Sequence, residues 1–145
     1  MSNIEAVKSV PLGMNCFSTL SDKQSGLSIE LGEPQMLAHP VKNDHLTDIQ
    51  RLYRGKITIM VRCDWQIIRE GKLVEGWDSA DLLVGLKVKK LVFVNENLDF
   101  YISFSGSTRL EVFTNQWRRS TNYSFHIDNA WWSVKAGGQA TVETS

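Results

Sequence analysis

Branched or aromatic apolar residues recur at every second position in two separate parts of the chain, at 57–61 and 123–127. This period is typical of a strand that buries one face and exposes the other. A polar turn follows each segment, and then a tryptophan, Trp65 in the first case and Trp131 in the second. The equal spacing of these features predicts that Trp65 and Trp131 occupy matching places in two similar units.

A second pair of alternating segments, 27–31 and 100–104, lies upstream with a different spacing. The change in spacing requires a longer connection in the first unit, and 39–56 is the segment that can supply it. We therefore predict an internal duplication that relates residues 10–70 to residues 83–136. The alternative is a chain of many strands that resemble one another without any duplication.

Two segments have the pattern of short helices, 44–53 and 79–87. Compact polar turns such as 105–107 separate alternating runs and favour antiparallel hairpins. The polar, glycine-rich tail at 137–145 is predicted to be frayed. The predicted fold class is therefore mainly β (α+β fringe): two similar antiparallel β-meanders packed together, with one or two short helices, in a single domain, 1–145.

The composition of the chain bears on its class of binding partner and on its cellular location. The chain has 145 residues with 16 basic and 16 acidic side chains, so no net field attracts nucleic acid or an anionic membrane. No run approaches the roughly 20 apolar residues of a membrane span, and residues 1–20 lack the pattern of an export signal. Cys16 and Cys63 match no metal spacing and are predicted to be buried thiols. We expect a cytoplasmic protein that binds neither nucleic acid nor membrane.

The residues that carry catalysis in known enzymes are not arranged in a recognisable way. His39, His45 and His126 show no ligand spacing, and neither a zinc-protease nor a serine-hydrolase motif is present. His126 lies on the polar phase of its strand and is predicted to be solvent-exposed. Cys63 precedes Asp64, whose carboxylate would disfavour a reactive thiolate. We expect no enzyme activity, no catalytic residue, no metal site and no cofactor.

The segment NQWRRSTN at 115–122 is a polar connection that contains Trp117, Arg118 and Arg119. Tryptophan and arginine are the residue types richest in interface hot spots, and they can also stack on a base and contact phosphate. Trp77, before the predicted helix at 79–87, is a weaker candidate for the same role. These four residues are the candidate binding site. The alternative is that Trp117 folds back on the sheet and both arginines are solvated.

The segments SGLSIELGEP, RGKITIMVRCDWQI and LVGLKVKKLVFVNENLDFYISFSGSTRLEVF resemble a group of small bacterial β-rich proteins. The resemblance covers roughly residues 10–135, and Cys63 and Trp65 match its pattern. Its motifs are packing motifs, and TNQWRRSTN departs from them, so no functional residue is carried over. Because some proteins of this size and pattern act as immunity or antitoxin-type partners of bacterial toxins, the resemblance implies the same role here.

Together these features predict a non-enzymatic protein-binding domain, whose partner is another protein and could be a toxin domain. The alternative is a small-ligand binding module with a pocket between the two sheets. Near-zero net charge and exposed strand edges also favour a homodimer.

Overall fold

The structure is a computed structural model, and it describes residues 3–22 and 26–144. Almost all of its regular structure is strand. In chain order the strands are β1 (Cys16–Asp22), β2 (Gly26–Leu31), β3 (Gln35–Met36), β4 (Tyr53–Arg54), β5 (Ile57–Val61), β6 (Asp64–Arg69), β7 (Lys72–Val74), β8 (Val88–Phe93), β9 (Phe100–Phe104), β10 (Thr108–Phe113), β11 (Tyr123–Ile127), β12 (Ala130–Lys135) and β13 (Gln139–Thr144).

These strands form two large antiparallel sheets and one small one. The six-stranded sheet has the order β1-β2-β5-β11-β12-β13, and the five-stranded sheet has the order β7-β6-β10-β9-β8. A separate pair, β3-β4, lies in the connection between β2 and β5. The predicted fold class, mainly β with short helices at its fringe, is confirmed.

The core lies between the two large sheets and is formed by the apolar phase of each strand. In β2, β5 and β9 every second side chain is buried, as the period-two pattern predicts. Aromatic rings join the two sheets: the ring of Phe100 on β9 lies 4.7 Å from that of Tyr123 and 5.5 Å from that of Phe125, both on β11. The residues that the alternation assigns to the core, Ile59, Val61, Ile102, Phe104 and Phe125, are all buried.

The two halves of the chain have the same strand order. In the first half β1, β2 and β5 form a meander in one sheet, after which β6 and β7 enter the other sheet. In the second half β8, β9 and β10 form a meander in the five-stranded sheet, after which β11 and β12 enter the six-stranded one. A duplication requires this correspondence. Common ancestry of 10–70 and 83–136 within one domain stays a prediction.

The matching of Trp65 with Trp131 is wrong in this topology. Trp65 lies on β6, the first strand of its half to enter the opposite sheet, whereas Trp131 lies on β12, the second such strand of the other half. The segments 57–61 and 123–127 are hydrogen-bonded neighbours, with Val61 opposite Tyr123, and not equivalent strands. Their similar alternation follows from sharing one sheet face.

The helices and the tail differ in part from the predictions. Helix α2 spans Asp48–Leu52 with a capping box between Thr47 and Gln50, and a 3₁₀ helix spans Ser79–Leu83. Helix α1, Asn3–Ser9, has no counterpart in the sequence-based prediction. The tail prediction is wrong, because 139–144 form β13 and pair with β12 along its whole length. In the described part of the chain, no helix has the length and apolar character needed to cross a membrane.

The connection between the second and third strands differs between the halves. The second and third strands of the second half are joined by the tight turn 105–107, whereas those of the first half are joined by the connection 32–56. This connection contains β3, α2 and β4, and it includes the segment 39–56 in which a longer connection was predicted. The Gln50 side chain donates a hydrogen bond to the carbonyl of Thr19 (2.9 Å), which fixes the connection to β1. We call residues 32–56 the long connection.

Candidate functional site

The segment 114–122 joins β10 in the five-stranded sheet to β11 in the six-stranded sheet. We call it the Trp117 loop. Trp117 is 93% exposed, Arg119 is exposed and Arg118 is half-buried. The structure therefore places these three predicted residues together at the surface, and Trp117 does not fold back on the sheet. Their role in binding stays a prediction.

Asn122 closes the base of the Trp117 loop. Its side chain is fully buried, and its Oδ1 accepts a hydrogen bond from the backbone N–H of Asn115 (2.9 Å). Its Nδ2 donates to the carbonyl of Asn115 (3.3 Å). The backbone of Asn122 bonds to Val134 on β12 and to Arg62 (both 2.8 Å). Both ends of the loop are therefore fixed to the sheets.

The tip of the loop is also held by hydrogen bonds. Asn115 Oδ1 accepts from the backbone N–H of Trp117 (2.9 Å), which forms an Asx-turn. The Nε of Arg118 donates to the carbonyl of Thr121 (2.8 Å), and Gln116 Oε1 accepts from the backbone N–H of Gly137 (2.5 Å). Trp117 is thus presented to solvent by a turn with a defined conformation.

The thiols of Cys16, which is buried, and Cys63, which is half-buried, have raised pKa values, whereas a lowered pKa favours the reactive thiolate. The pKa of each thiol is raised to about 12, mainly by burial. At Cys63 the nearby carboxylates act in the same direction and Arg118 acts in the opposite one. A thiol with such a pKa is protonated at neutral pH, whereas the thiolate is the nucleophile.

We therefore expect both thiols to react slowly with a thiol-specific disulfide reagent at pH 8. With a pKa of about 12, only about one thiol in ten thousand is ionised at that pH, far fewer than for a free cysteine. The rate is measured by absorbance on the native protein and on protein unfolded in urea, in which both thiols should react at once. Rapid stoichiometric labelling of the native protein would contradict this assignment.

Trp77 lies in a different place. It is 52% exposed, and its carbonyl accepts a hydrogen bond from the hydroxyl of Ser21 (2.6 Å). Its side chain lines a groove together with Trp65 and Leu73. The structure therefore does not bring Trp77 into the Trp117 loop.

A second candidate site lies on the outer face of the six-stranded sheet, the face that points away from the core. Cross-strand pairing aligns Glu30 on β2 with Thr58 on β5, Thr58 with His126 on β11, and His126 with Trp131 on β12. We call Glu30, Thr58, His126 and Trp131 the polar row. The expectation that His126 is exposed is wrong: it is only 3% exposed, because Trp131 and the long connection cover it.

Arg54, at the end of the long connection, contacts the polar row. Its Nη2 lies 2.7 Å from Nδ1 and 3.3 Å from Nε2 of His126. Burial lowers the pKa of His126, and the positive charge of Arg54 lowers it further. Because a guanidinium can only donate, the ring accepts this hydrogen bond in its neutral form.

Glu30 is held from two sides. Its carboxylate accepts hydrogen bonds from the hydroxyl of Thr58 and from the backbone N–H of Gly55 (3.2 Å). Gly55 allows this approach because a Cβ there would collide with the backbone of Leu31. Burial raises the pKa of Glu30, while its hydrogen bonds and Arg54 act in the opposite direction.

The long connection and the polar row enclose a cleft of about 230 Å³. Ser28, Glu30 and Thr58 contribute polar groups, and Leu20, Leu37 and Val41 contribute apolar walls. A small-ligand pocket was predicted between the two sheets, where the buried apolar side chains pack together. The cleft described above lies elsewhere, on the outer face, and a pocket between the sheets stays a prediction.

The sequence offered one signal for this cleft. A connection as long as 39–56 must cover some surface, and the polar residues Ser28 and Glu30 on β2 and Thr58 on β5 mark the face it covers. Which polar residues become neighbours depends on the strand order, and that order is not readable from alternation.

The chain matches no protein-family model, no curated protein and no solved structure. Its resemblance to small bacterial β-rich proteins, and the immunity or antitoxin role which that resemblance implies, therefore stay predictions.

Proposed function

We propose that this protein is a non-enzymatic binding domain that recognises another protein through the Trp117 loop. The observation that carries the proposal is the 93% exposure of Trp117 on a loop whose ends and tip are hydrogen-bonded. An indole in water leaves a large apolar surface unburied. Binding a partner removes that surface from water and supplies a favourable free energy.

The fixed conformation of the loop strengthens this interpretation. A flexible loop loses conformational entropy when a partner orders it, and this loss opposes binding. Because Asn122 and Asn115 already hold the turn, Trp117 is presented with little further ordering. Connections on rigid scaffolds commonly carry recognition for this reason.

The charges around the loop indicate the chemistry of the partner. Arg119 is exposed, and Arg118 uses its Nε for the carbonyl of Thr121, which leaves its terminal nitrogens to bind elsewhere. Guanidinium groups bind carboxylates with paired hydrogen bonds. The proposed partner surface is therefore an apolar pocket for Trp117 with carboxylates at its rim. More specifically, we propose that this partner is a toxin domain in the same cytoplasm.

The test is Trp117→Ala, with Trp77→Ala as the matched control. We expect wild-type protein and Trp77→Ala to capture the same partner from extract of the native cells, and Trp117→Ala to lose it. Because Trp117 is almost fully exposed, its removal should change the free energy of unfolding by less than about 0.5 kcal/mol. The captured species is identified by mass spectrometry, and stability is measured by urea denaturation.

Two results would contradict the proposal. One is equal capture by wild-type protein and Trp117→Ala. The other is loss of the captured partner after nuclease treatment, which would show that the indole stacks on a nucleic acid base instead of filling a protein pocket.

A further inference from the structure

We propose that the cleft on the outer face of the six-stranded sheet binds a small organic anion, namely a carboxylate with an apolar body of about the size of a benzene ring. Arg54 would bind the carboxylate, and the apolar walls and Trp131 would contact the body. This site uses none of the residues of the Trp117 loop, so it is independent of the proposed protein-binding function.

The charge of Arg54 is the first observation. Within residues 3–22 and 26–144, no carboxylate oxygen lies within 4.0 Å of its guanidinium. Its hydrogen-bonding partner there is the ring of His126, which engages one of the two terminal nitrogens. A guanidinium has five N–H donors in a planar fork. Arg54 therefore retains donors in a half-buried position that can bind a carboxylate of a ligand.

The state of Glu30 is the second observation. A free carboxylate in the cleft would repel an anion. Glu30, however, accepts hydrogen bonds from the Thr58 hydroxyl and the Gly55 backbone, so its oxygens are directed to the protein. Burial also raises its pKa. A hydrogen-bonded carboxylate keeps its charge, but its acceptor sites are occupied, so Arg54 is the charged group in the cleft with donors available to a ligand.

The third observation is the shape of the cleft. Leu20, Leu37 and Val41 form apolar walls, and the ring of Trp131 lines the cleft while lying 4.7 Å from the ring of His126. The volume of about 230 Å³ equals that of about eight water molecules in the liquid, which is enough for a small arylcarboxylate. Convergent polar groups in a mainly apolar cleft are typical of small-ligand sites.

His126 acts as a positioning residue for Arg54. Its neutral ring accepts the hydrogen bond from Nη2, and the ring of Trp131 lies 4.7 Å from it. The guanidinium is consequently held at the cleft before a ligand arrives. Arg54 comes from the long connection, the element that has no counterpart in the second half of the chain.

The test uses three probes of similar shape: phenylacetate, its neutral amide phenylacetamide, and the cation 2-phenylethylammonium. Binding is followed by chemical shift changes of the Ser28 and Thr58 amides and of the Trp131 indole N–H. We expect phenylacetate to shift these signals saturably, and the amide to bind about tenfold more weakly because a charge-assisted hydrogen bond is lost. The cation should give no saturable shift.

Two variants locate the site. Arg54→Gln should weaken phenylacetate binding by about tenfold or more, whereas Arg62→Gln should leave it unchanged. Arg62 is a matched control because it is also an arginine near Trp131, but it lines a different surface depression. Val41→Trp, at an exposed position of the cleft wall, should abolish binding without disturbing Arg54. Trp117→Ala should bind phenylacetate as the wild type does.

Equal binding of phenylacetate and phenylacetamide would overturn the proposal, because the charge would then play no part. Undiminished binding to Val41→Trp would overturn it as well, since the ligand would then lie elsewhere. This second variant keeps the test decisive even if Arg54→Gln fails to fold.

Discussion

Phe100→Ala is expected to lower the free energy of unfolding by about 3–5 kcal/mol, the range found when a buried phenylalanine is truncated. Phe100 is 2% exposed and contacts Tyr123 and Phe125 across the two sheets, in addition to Phe93 on the neighbouring strand. Its removal leaves a cavity at the junction of the sheets and deletes three aromatic contacts. Urea denaturation followed by circular dichroism measures the change.

Phe113→Ala is the matched control for this substitution. Phe113 is the last residue of β10 and is 43% exposed, so its truncation should lower stability by less than about 1 kcal/mol. If the two substitutions had equal effects, the assignment of Phe100 to the contact between the sheets would be wrong.

Asn122→Ala is expected to have the second-largest effect on stability, a loss of about 1–3 kcal/mol. The side chain is fully buried, and its removal leaves the N–H and the carbonyl of Asn115 without their partners. The loss combines these two hydrogen bonds with the cavity that truncation of a fully buried side chain leaves behind. Faster hydrogen exchange at the Asn115 amide should accompany the loss, because that amide is the donor to Asn122.

Asn95→Ala provides the comparison. Asn95 also organises a turn, through hydrogen bonds to Asn97 and Asp99, but it is exposed. Water can replace those bonds, so the loss should be under about 1 kcal/mol. If the Asn122→Ala variant were as stable as the wild type, with unchanged hydrogen exchange at the Asn115 amide, the Trp117 loop would not depend on the hydrogen bonds of Asn122.

Hydrophobic alternation predicted which face of each strand is buried. Ile59 and Ile102 are fully buried as their phase requires, because strand geometry alone directs every second side chain to one face. Alternation did not predict what covers the opposite face. His126 has the phase of an exposed residue and is nevertheless buried, because Arg54 and Trp131 lie over it.

Strand β13 was missed by the sequence-based prediction for a different reason. All six of its residues are exposed, and its apolar phase consists only of Ala140 and Val142, which is too short to mark a strand by itself. Its pairing with β12 rests on backbone hydrogen bonds, to which any non-proline residue can contribute. The strand forms one edge of the six-stranded sheet. An unpaired edge is the feature on which the predicted homodimer depends, and that homodimer stays a prediction.

The two candidate sites differ in how far the sequence could reveal them. Trp117, Arg118 and Arg119 are consecutive, so their composition alone marked the segment. Glu30, Arg54 and His126 lie far apart in the chain, and their proximity depends on the neighbouring positions of β2, β5 and β11. No sequence spacing predicts this proximity, because β11 from the second half of the chain pairs with β5 from the first half.

The measurement that tests the central claim most directly is the affinity of the purified captured partner for wild-type protein, Trp117→Ala and Trp77→Ala, by titration calorimetry. Loss of a hot-spot tryptophan typically costs about 2 kcal/mol or more, which corresponds to a dissociation constant raised by about 30-fold or more. We expect that increase for Trp117→Ala and an unchanged constant for Trp77→Ala. Equal dissociation constants for wild-type protein and Trp117→Ala would contradict recognition through the Trp117 loop.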